Sequence, residues 1–484
     1  MNATQGASRP DLTVGPIGKT LLLFTIPTLA SNVLQSLNGS INAVWVGRFL
    51  GENALAATAN ANIVMFLLVS LVFGLGMAAT VLIGQAIGAR DVDAARRAFG
   101  SAIGFSFLMT LFVALAGWFG APALLRLLAT PAEAYDLALI YLRVIFIAMP
   151  GTLISVMVMM GLRGAGDSVT PLRFMILSCV LDATLNPLLI RGIGPFPELG
   201  IAGSAVATAF AALVSLIGMV VYIYRRDLPL RLRGVELAYL RPSMDQLRVL
   251  VAKGLPMGLQ MIVMSASGLV MIGLVNREGL VTTAAYAASQ QLWTYLQMPA
   301  MAIGTGVSAM AAQNVGAGRW DRVNRITGTG LLLNCLITGT MVGVLLLFDR
   351  PVLALFLGSG SPAIDVARHM QYLASWSFLL FGLGMVFFGT MRANGVVYTP
   401  LLILIFALYP VRLGFYHFAY PSLGADALWL SFPIGSFVSL ALGAALFLHG
   451  GWRKVRLMVP PHEEECRESV HSEVEPAGRM SPAG

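Results

Sequence analysis

Apolar stretches long enough to cross a lipid bilayer recur along nearly the whole of this sequence, and no other feature limits its fold as severely. In hydrocarbon the backbone must satisfy its own hydrogen bonds, which a helix does within a single segment. A spanning helix needs about 20 residues to cross a layer about 30 Å thick. The chain has 484 residues, 57% hydrophobic and 11% charged, where a soluble domain carries about 25% charge. With short loops this leaves room for about twelve spans and for no large soluble domain. The expected fold is therefore an all-α integral membrane protein with twelve transmembrane helices.

The net charge of +8 does not point to nucleic acid, because the basic residues are parcelled out loop by loop instead of forming one stripe. Arg90, Arg96 and Arg97, then Arg163 and Arg173, then the run from Arg225 to Lys253, then Arg319, Arg322 and Arg325, then Arg392, then Arg453, Lys454 and Arg456 fall in alternate loops. Positively charged loops stay in the cytoplasm, so both termini are expected there, with a multi-pass chain in a bacterial-type inner membrane. The apolar run after Lys19 has no small-residue cleavage site and reads as a retained first helix. Cys179 and Cys335 lie in apolar runs and Cys466 in a charged tail, which gives no disulfide framework.

The second half of the chain echoes the first at an offset of 228 to 229 residues. Ile26-Pro27 recurs as Leu255-Pro256. Gln85-x-x-Gly88-Ala89 recurs as Gln313-x-x-Gly316-Ala317, and Arg163-x-x-Gly166-x-x-x-Thr170-Pro171 recurs as Arg392-x-x-Gly395-x-x-x-Thr399-Pro400. Six helices per unit is an even number, so the halves enter the membrane in the same orientation. Such parallel repeats are related by an axis along the membrane normal, with a cavity expected between the lobes near mid-depth. The expected divisions are an N-terminal segment 1–16, a first lobe 17–228, a linker 229–247, a second lobe 248–455 and a disordered tail 456–484. Pro27 and Pro256 each remove a helical hydrogen bond and are candidate hinges or kinks. Gly100-x-x-x-Gly104, Gly254-x-x-x-Gly258 and Gly339-x-x-x-Gly343 are expected to let helices approach closely.

An ionisable residue inside a span is expensive and defaults to function. Asp182 lies 11 residues after Pro171, roughly 16 Å along the axis and so near the middle of the layer. Asn186 is one turn further on the same face. Gln35, Asn38 and Asn42 form a polar stripe at helical spacing on the first span, placed to face it.

Further motifs give the chain a resemblance that runs over essentially its whole length before the tail. Trp45-Val46-Gly47-Arg48, Gly84-Gln85-x-x-Gly88-Ala89-Arg90, Leu162-Arg163-Gly164-x-Gly166-Asp167-x-x-Thr170-Pro171, Leu185-Asn186-Pro187 and Met391-Arg392-x-x-Gly395 resemble the multidrug and toxic compound extrusion (MATE) transporters. The resemblance implies a V-shaped pair of six-helix lobes, acting as a monomer, that exports organic cations and amphipathic drugs against H⁺ or Na⁺ by alternating access, with no other cofactor. One branch of the family places its cation site in the N-terminal lobe, using a first-helix Asp, a Gln two turns before it and an Asn-x-x-x-Asp pair in the fifth helix. Here Gln35 keeps its place, Asn42 stands where the Asp would be, and Asp182-x-x-x-Asn186 carries the pair in swapped order. The family's fourth-helix tyrosine and sixth-helix hydroxyl would map to Tyr141 and Ser204, with Thr208 one turn beyond. The other branch uses acids in the C-terminal lobe, where this chain has Met264 and an acid-free run over 378–385. The expected coupling residues are thus Asp182, Asn186, Asn42 and Ser204, and the expected substrate cavity Gln35, Asn38, Tyr141 and Thr208. One acid in place of two suggests one cation per cycle, and the acid count favours H⁺ over a Na⁺ held at Asp182.

Arg143, Arg368, Arg412 and His417 are expected to snorkel towards the interface; the resemblance also puts Arg412 where the family often has an arginine in its eleventh helix, which leaves an interlobe or lipid role open for it. Methionines and aromatics such as Met157, Met261, Phe105 and Trp293 are mostly packing residues, although such side chains suit a plastic drug cavity. His462, Cys466 and His471 in the tail lack the scaffold of a metal site. An intramembrane transferase would need clustered acids or a phosphate loop, and neither is present. A lipid-linked oligosaccharide flippase of the same superfamily would want a cationic cavity.

Overall fold

The structure, a computed structural model, describes residues 11–127, 130, 132–358 and 360–454. Most of the expected N-terminal segment and the whole tail from residue 456, with His462, Cys466 and His471, lie outside the described residues.

Apolar runs fold as long helices, each stopped where glycine, proline or a charge cluster interrupts the run. They are α1 (Ile17–Leu50), α2 (Glu52–Gly88), α3 (Val92–Leu127), α4 (Ala132–Gly164), α5 (Val169–Arg191) and α6 (Ile201–Arg225). After a linker come α7 (Met244–Val275), α8 (Leu280–Gly316), α9 (Trp320–Leu347) and the short α10 (Asp349–Leu357). α11 (Ala363–Ala374) and α12 (Ser377–Ala393) together make one span. α13 (Tyr398–Phe406) and α14 (Arg412–Leu423) make another, joined by a stretch of π-helix at Ala407–Val411, and α15 (Asp426–His449) is the last. By length and composition 11 of these spans can cross a membrane among the described residues. α8 is the twelfth. It carries no acidic or basic side chain, but its many small and polar residues keep it less apolar, and much of it is enclosed by other helices.

The protein is a multi-pass helical membrane protein of two lobes. In the first, α4 packs on α2, α3 and α6, and α5 lies against α1 and α6; in the second, α12 packs on α8, α9 and α15. The lobes meet through α2 against α7 and α8 and through α1 against α8. Glycine decides how close they come. A Cβ on Gly74 would lie 2.2 Å from the Gly258 backbone nitrogen, and one on Gly254 would meet Leu75 at 2.7 Å. The repeated motifs cross at one point: a Cβ on Gly88 would sit 1.9 Å from the Gln313 carbonyl, and one on Gly316 would sit 1.9 Å from the Gln85 carbonyl.

The side chains at that crossing are equally reciprocal. Gln85 Nε2 donates to the Ala393 carbonyl at 2.7 Å, and Gln313 Nε2 donates to the Gly164 carbonyl at 3.0 Å. Leu12, buried, donates its N–H to Gln313 Oε1 at 3.3 Å and accepts from Asn314 Nδ2 at 3.1 Å. Arg319 and Arg322 donate to the carbonyls of Thr13, Val14 and Gly15. The hydrogen bonds between lobes thus gather at the face where α1 begins. Pro256 lies between the two crossing glycines of α7, and Pro27 two residues past Thr25, whose hydroxyl a Cβ on Gly306 of α8 would meet at 2.7 Å.

Two of the three glycine pairs differ from expectation. Gly100 and Gly104 admit no helix. They make room for the linker, since a Cβ on Gly104 would lie 1.8 Å from the Leu240 carbonyl and one on Gly100 would meet Tyr239 at 2.8 Å. That linker forms a 3₁₀ turn, Gly234–Leu240, fastened to α3 by Arg96–Glu236 at 2.5 Å and Tyr239–Asp93 at 2.8 Å. Gly343 faces open space and packs against nothing.

Candidate functional site

Asp182 stands on α5, its side chain 1% exposed and turned towards α1 and α6. α1 reaches it with two side chains one helical turn apart and α6 with one. From α1, Asn38 Nδ2 donates to Oδ2 at 2.7 Å and Asn42 Nδ2 to the same oxygen at 3.3 Å. From α6, Thr208 Oγ1 donates to Oδ1 at 3.0 Å, and from α5 itself Asn186 Nδ2 reaches Oδ1 at 3.4 Å. Asn186 Nδ2 also donates to Asn42 Oδ1, and Asn42 Nδ2 to Thr208 Oγ1 at 3.1 Å.

Four donors on one carboxylate suit its charged, acceptor-only form, while removal from water opposes that charge. No ion pair of the described residues includes Asp182. The group is therefore a buried acid whose charge is met by neutral amides and a hydroxyl alone, and a small cation would complete it. Around it, Asn38 Oδ1, Asn186 Oδ1 and Ser204 Oγ are buried oxygens with no hydrogen-bonding partner. Together with the carboxylate they are the hard oxygen donors that Na⁺ requires, and equally the acceptors that a protonated carboxyl would address.

Beside this network lies a cavity of about 270 Å³, lined by Gln35, Asn38, Gly39 and Asn42 of α1, Asn62 and Met65 of α2, Tyr141, Ile145 and Thr152 of α4, and Ser204 and Thr208 of α6, among others. All of these belong to the first lobe, so the cavity sits inside that lobe and not between the lobes as expected. The reason is local: α1 carries polar or small residues at four successive turns, and a Cβ on Gly39 would find nothing within 4 Å. The lining contains no Lys, Arg or His.

The structure brings Asp182, Asn186, Asn42, Asn38 and Thr208 into one network. Gln35, Tyr141 and Ser204 share the cavity without bonding to the acid, and Pro27 and Pro256 lie away from it. Thr58, Asn62 and Thr152 also line the cavity, and sequence reasoning missed them. Thr58 and Asn62 are one turn apart in an apolar run, a signal of the same kind as the α1 stripe but weaker. Met157 and Trp293 are buried packing residues. Arg412 does not snorkel: it is 6% exposed, because rings and helices of the second lobe close over it. Arg143 lies over the Trp118 ring at 5.3 Å, and Arg368 pairs with Asp349 at 3.0 Å. No cluster of three or more His, Cys, Asp or Glu suited to a metal occurs among the described residues.

Compared with known proteins, the sequence matches the MatE family twice, over residues 27–188 and again over 256–416. The chain belongs to the MatE family. The double match falls on the two halves of the repeat, and this MatE chain is a membrane transporter. Its relatives include the probable multidrug resistance protein YoeA of Bacillus subtilis, 35% identical over 441 residues, which cover 91% of this chain and 94% of that one. The probable multidrug resistance protein NorM of Thermotoga maritima is 25% identical over 450 residues, 92% of this chain and 95% of that one. Among solved structures, the outward-facing conformation of a multidrug resistance MATE transporter of the MOP superfamily superposes with a TM-score of 0.82 at 22% identity, covering 94% of this chain and all of the other. That likeness speaks to the two-lobed fold of twelve helices.

Proposed function

We propose that this MatE transporter exports small organic cations and other amphipathic drugs across a bacterial inner membrane, in exchange for H⁺ bound at Asp182, with Na⁺ as the alternative ion. The observation that carries this reading is the buried Asp182 carboxylate, held by four neutral donors and by no cationic side chain among the described residues, beside a polar cavity. The names of the relatives as multidrug resistance proteins support the substrate class.

In this reading the cation enters the first lobe, neutralises Asp182 and makes its four donors redundant. The amides of Asn38, Asn42 and Asn186 then re-pair with each other, which shifts α1 against α5 and α6. Because the segment 12–15 that leads into α1 and the first turns of α1 up to Thr25 carry contacts between the lobes, a change at Asp182 reaches the interlobe face along one helix. Pro27 lies between the two regions and is the point at which α1 can bend. Energetically a membrane potential of 100 mV supplies roughly 2.3 kcal/mol per charge and each pH unit about 1.4 kcal/mol, enough for export of tens- to hundreds-fold. The absence of basic side chains from the cavity lining disfavours a flippase for pyrophosphate-linked sugars.

The test is drug efflux from everted vesicles under an imposed pH gradient and, separately, an imposed Na⁺ gradient, with the parent protein and Asp182→Asn. The pH gradient should drive the parent and not the variant. If either gradient drives the variant as well as the parent, Asp182 is not the coupling group.

A further inference from the structure

The second lobe buries a charge of its own, at the place that answers to Asp182. α13 begins at Thr399-Pro400 as α5 begins at Thr170-Pro171, an interval of 229 residues. The π-helical stretch Ala407–Val411 then inserts one extra residue. Past it the counterpart of Asp182 is therefore Arg412.

Contacts from two other helices agree. Asp182 is bonded by Asn38 of α1, and Arg412 Nη1 donates to Ser267 Oγ of α7 at 3.4 Å, Ser267 being the repeat counterpart of Asn38. Gly200 and Gly424 open the last helix of each lobe with the same uncommon backbone, φ 54°, ψ −132° and φ 57°, ψ −137°. Counting on from them, Thr208 corresponds to Phe432. Thr208 bonds Asp182, and the Phe432 ring lies 3.5 Å from the Arg412 guanidinium.

The two charges are not equally provided for. Asp182 has four donors, whereas Arg412 has one long bond and a ring face, and its Nε and Nη2 are buried without partners. A buried cation in that condition is costly until an anion meets it. Three acids of that lobe are engaged elsewhere, Asp349 with Arg368, Asp426 with His369 and Glu278 with Tyr420, and the other two, Asp321 and Asp365, are exposed. Beside Arg412, Phe432 packs on Trp293 at 5.1 Å and Tyr286 on Trp429 at 5.9 Å, which gives flat apolar faces next to the guanidinium.

We propose that Arg412, with Ser267, is an anion-binding site of the C-terminal lobe, which takes the carboxylate or phosphate of an aromatic amphiphile. The fork of a guanidinium matches either group with two parallel hydrogen bonds, which fill the two unpartnered nitrogens. The protein then handles anionic or zwitterionic molecules through its second lobe as well as cations through its first. This assignment is independent of which ion Asp182 carries.

Fluorescein and rhodamine 123 share a xanthene skeleton and differ in charge, and their binding to the purified full chain in phosphatidylcholine nanodiscs is read by fluorescence polarisation. The expected result is that the parent binds both, that Arg412→Gln lowers the ratio of fluorescein to rhodamine 123 affinity at least tenfold, and that Arg412→Lys, which keeps the charge but loses the fork, lowers it by a smaller factor than Arg412→Gln. Ser267→Ala, a milder change, lowers the ratio about threefold and carries the test should Arg412→Gln not fold. No fluorescein binding to the parent, or a ratio within twofold of the parent in both Arg412→Gln and Ser267→Ala, overturns the proposal. Repeating the assay with phosphatidylglycerol in the nanodisc identifies the source of the anion. Competition seen in the parent and lost in Arg412→Gln marks a lipid phosphate, and its absence marks a substrate carboxylate. Either keeps the site. Coupling by Asp182 is measured separately in vesicles, so failure of one reading leaves the other standing.

Discussion

The two lobes share a fold and differ in what they place at matching depth. In the first, Asn38, Asn42, Asn186 and Thr208 surround an acid and leave a cavity beside it. In the second, the counterparts of Asn42 and Thr208 are Met271 and Phe432, and a ring packs against a buried arginine. Duplication repeats helix positions because apolar patterning and glycine crossings set them. It does not repeat chemistry, because a few side chains per helix decide whether an interior presents an acid among amides or an arginine among rings.

That contrast can be broken most severely at Asp182. Asp182→Asn keeps the shape and removes the charge, so gradient-driven efflux from everted vesicles should fall to background. If Arg412→Gln abolishes proton-driven efflux equally, the lobes divide their work differently from this reading. Next in size is the crossing that both lobes share. Gly88→Ala and Gly316→Ala each drive a Cβ into a carbonyl 1.9 Å away, which should cost about 1–3 kcal/mol or more and lower the melting temperature in detergent by similar amounts. A large difference between the two would show that the lobes do not contribute symmetrically there.

Asn38→Ala removes a donor 2.7 Å from the carboxylate, a bond to a charged group worth about 1.5–3 kcal/mol. The pH gradient required for half-maximal efflux should change about tenfold in proton activity ratio, whereas Ser267→Ala in the other lobe should leave it alone. Gly39→Leu fills open space in the first lobe and should reduce efflux of bulky dyes with little loss of stability. Its counterpart Gly268, also free of contacts within 4 Å, should tolerate leucine with a smaller effect on efflux. The smallest effects are expected at the interlobe clasps. Gln85→Ala removes one hydrogen bond and Gln313→Ala two, each worth about 0.5–1.5 kcal/mol; the first should raise the rate of lobe separation about threefold in a fluorescence assay with dyes on both lobes, and the second by more.

Much of the site was legible because bilayer physics makes exceptions conspicuous. A carboxylate and three amides at helical spacing inside apolar runs have few explanations, and Asp182, Asn38, Asn42 and Asn186 do meet. Thr58 and Asn62 gave only a two-residue stripe, and Thr152 none, since a lone hydroxyl in a membrane helix often bonds only its own backbone, as Thr152 does to the Ala148 carbonyl at 3.1 Å. Arg412 was misjudged because snorkelling is the common fate of an arginine near the end of a span, and nothing local reveals that α7 and α15 close over it. Gly100 and Gly104 were read as a helix contact because spacing alone does not say whether the partner is a helix or a 3₁₀ turn.

Length of apolar run, spacing of basic loops and the 229-residue echo determined by themselves the class, the number of spans and the parallel repeat, since each follows from local energetics in a bilayer. Which polar groups share a cavity, which lobe holds it, and which buried charge lacks a partner were decided only by tertiary packing. These depend on helices far apart in the chain coming within about 3 Å, a distance at which one residue of register, such as the extra residue of the π-helical stretch, changes who faces whom.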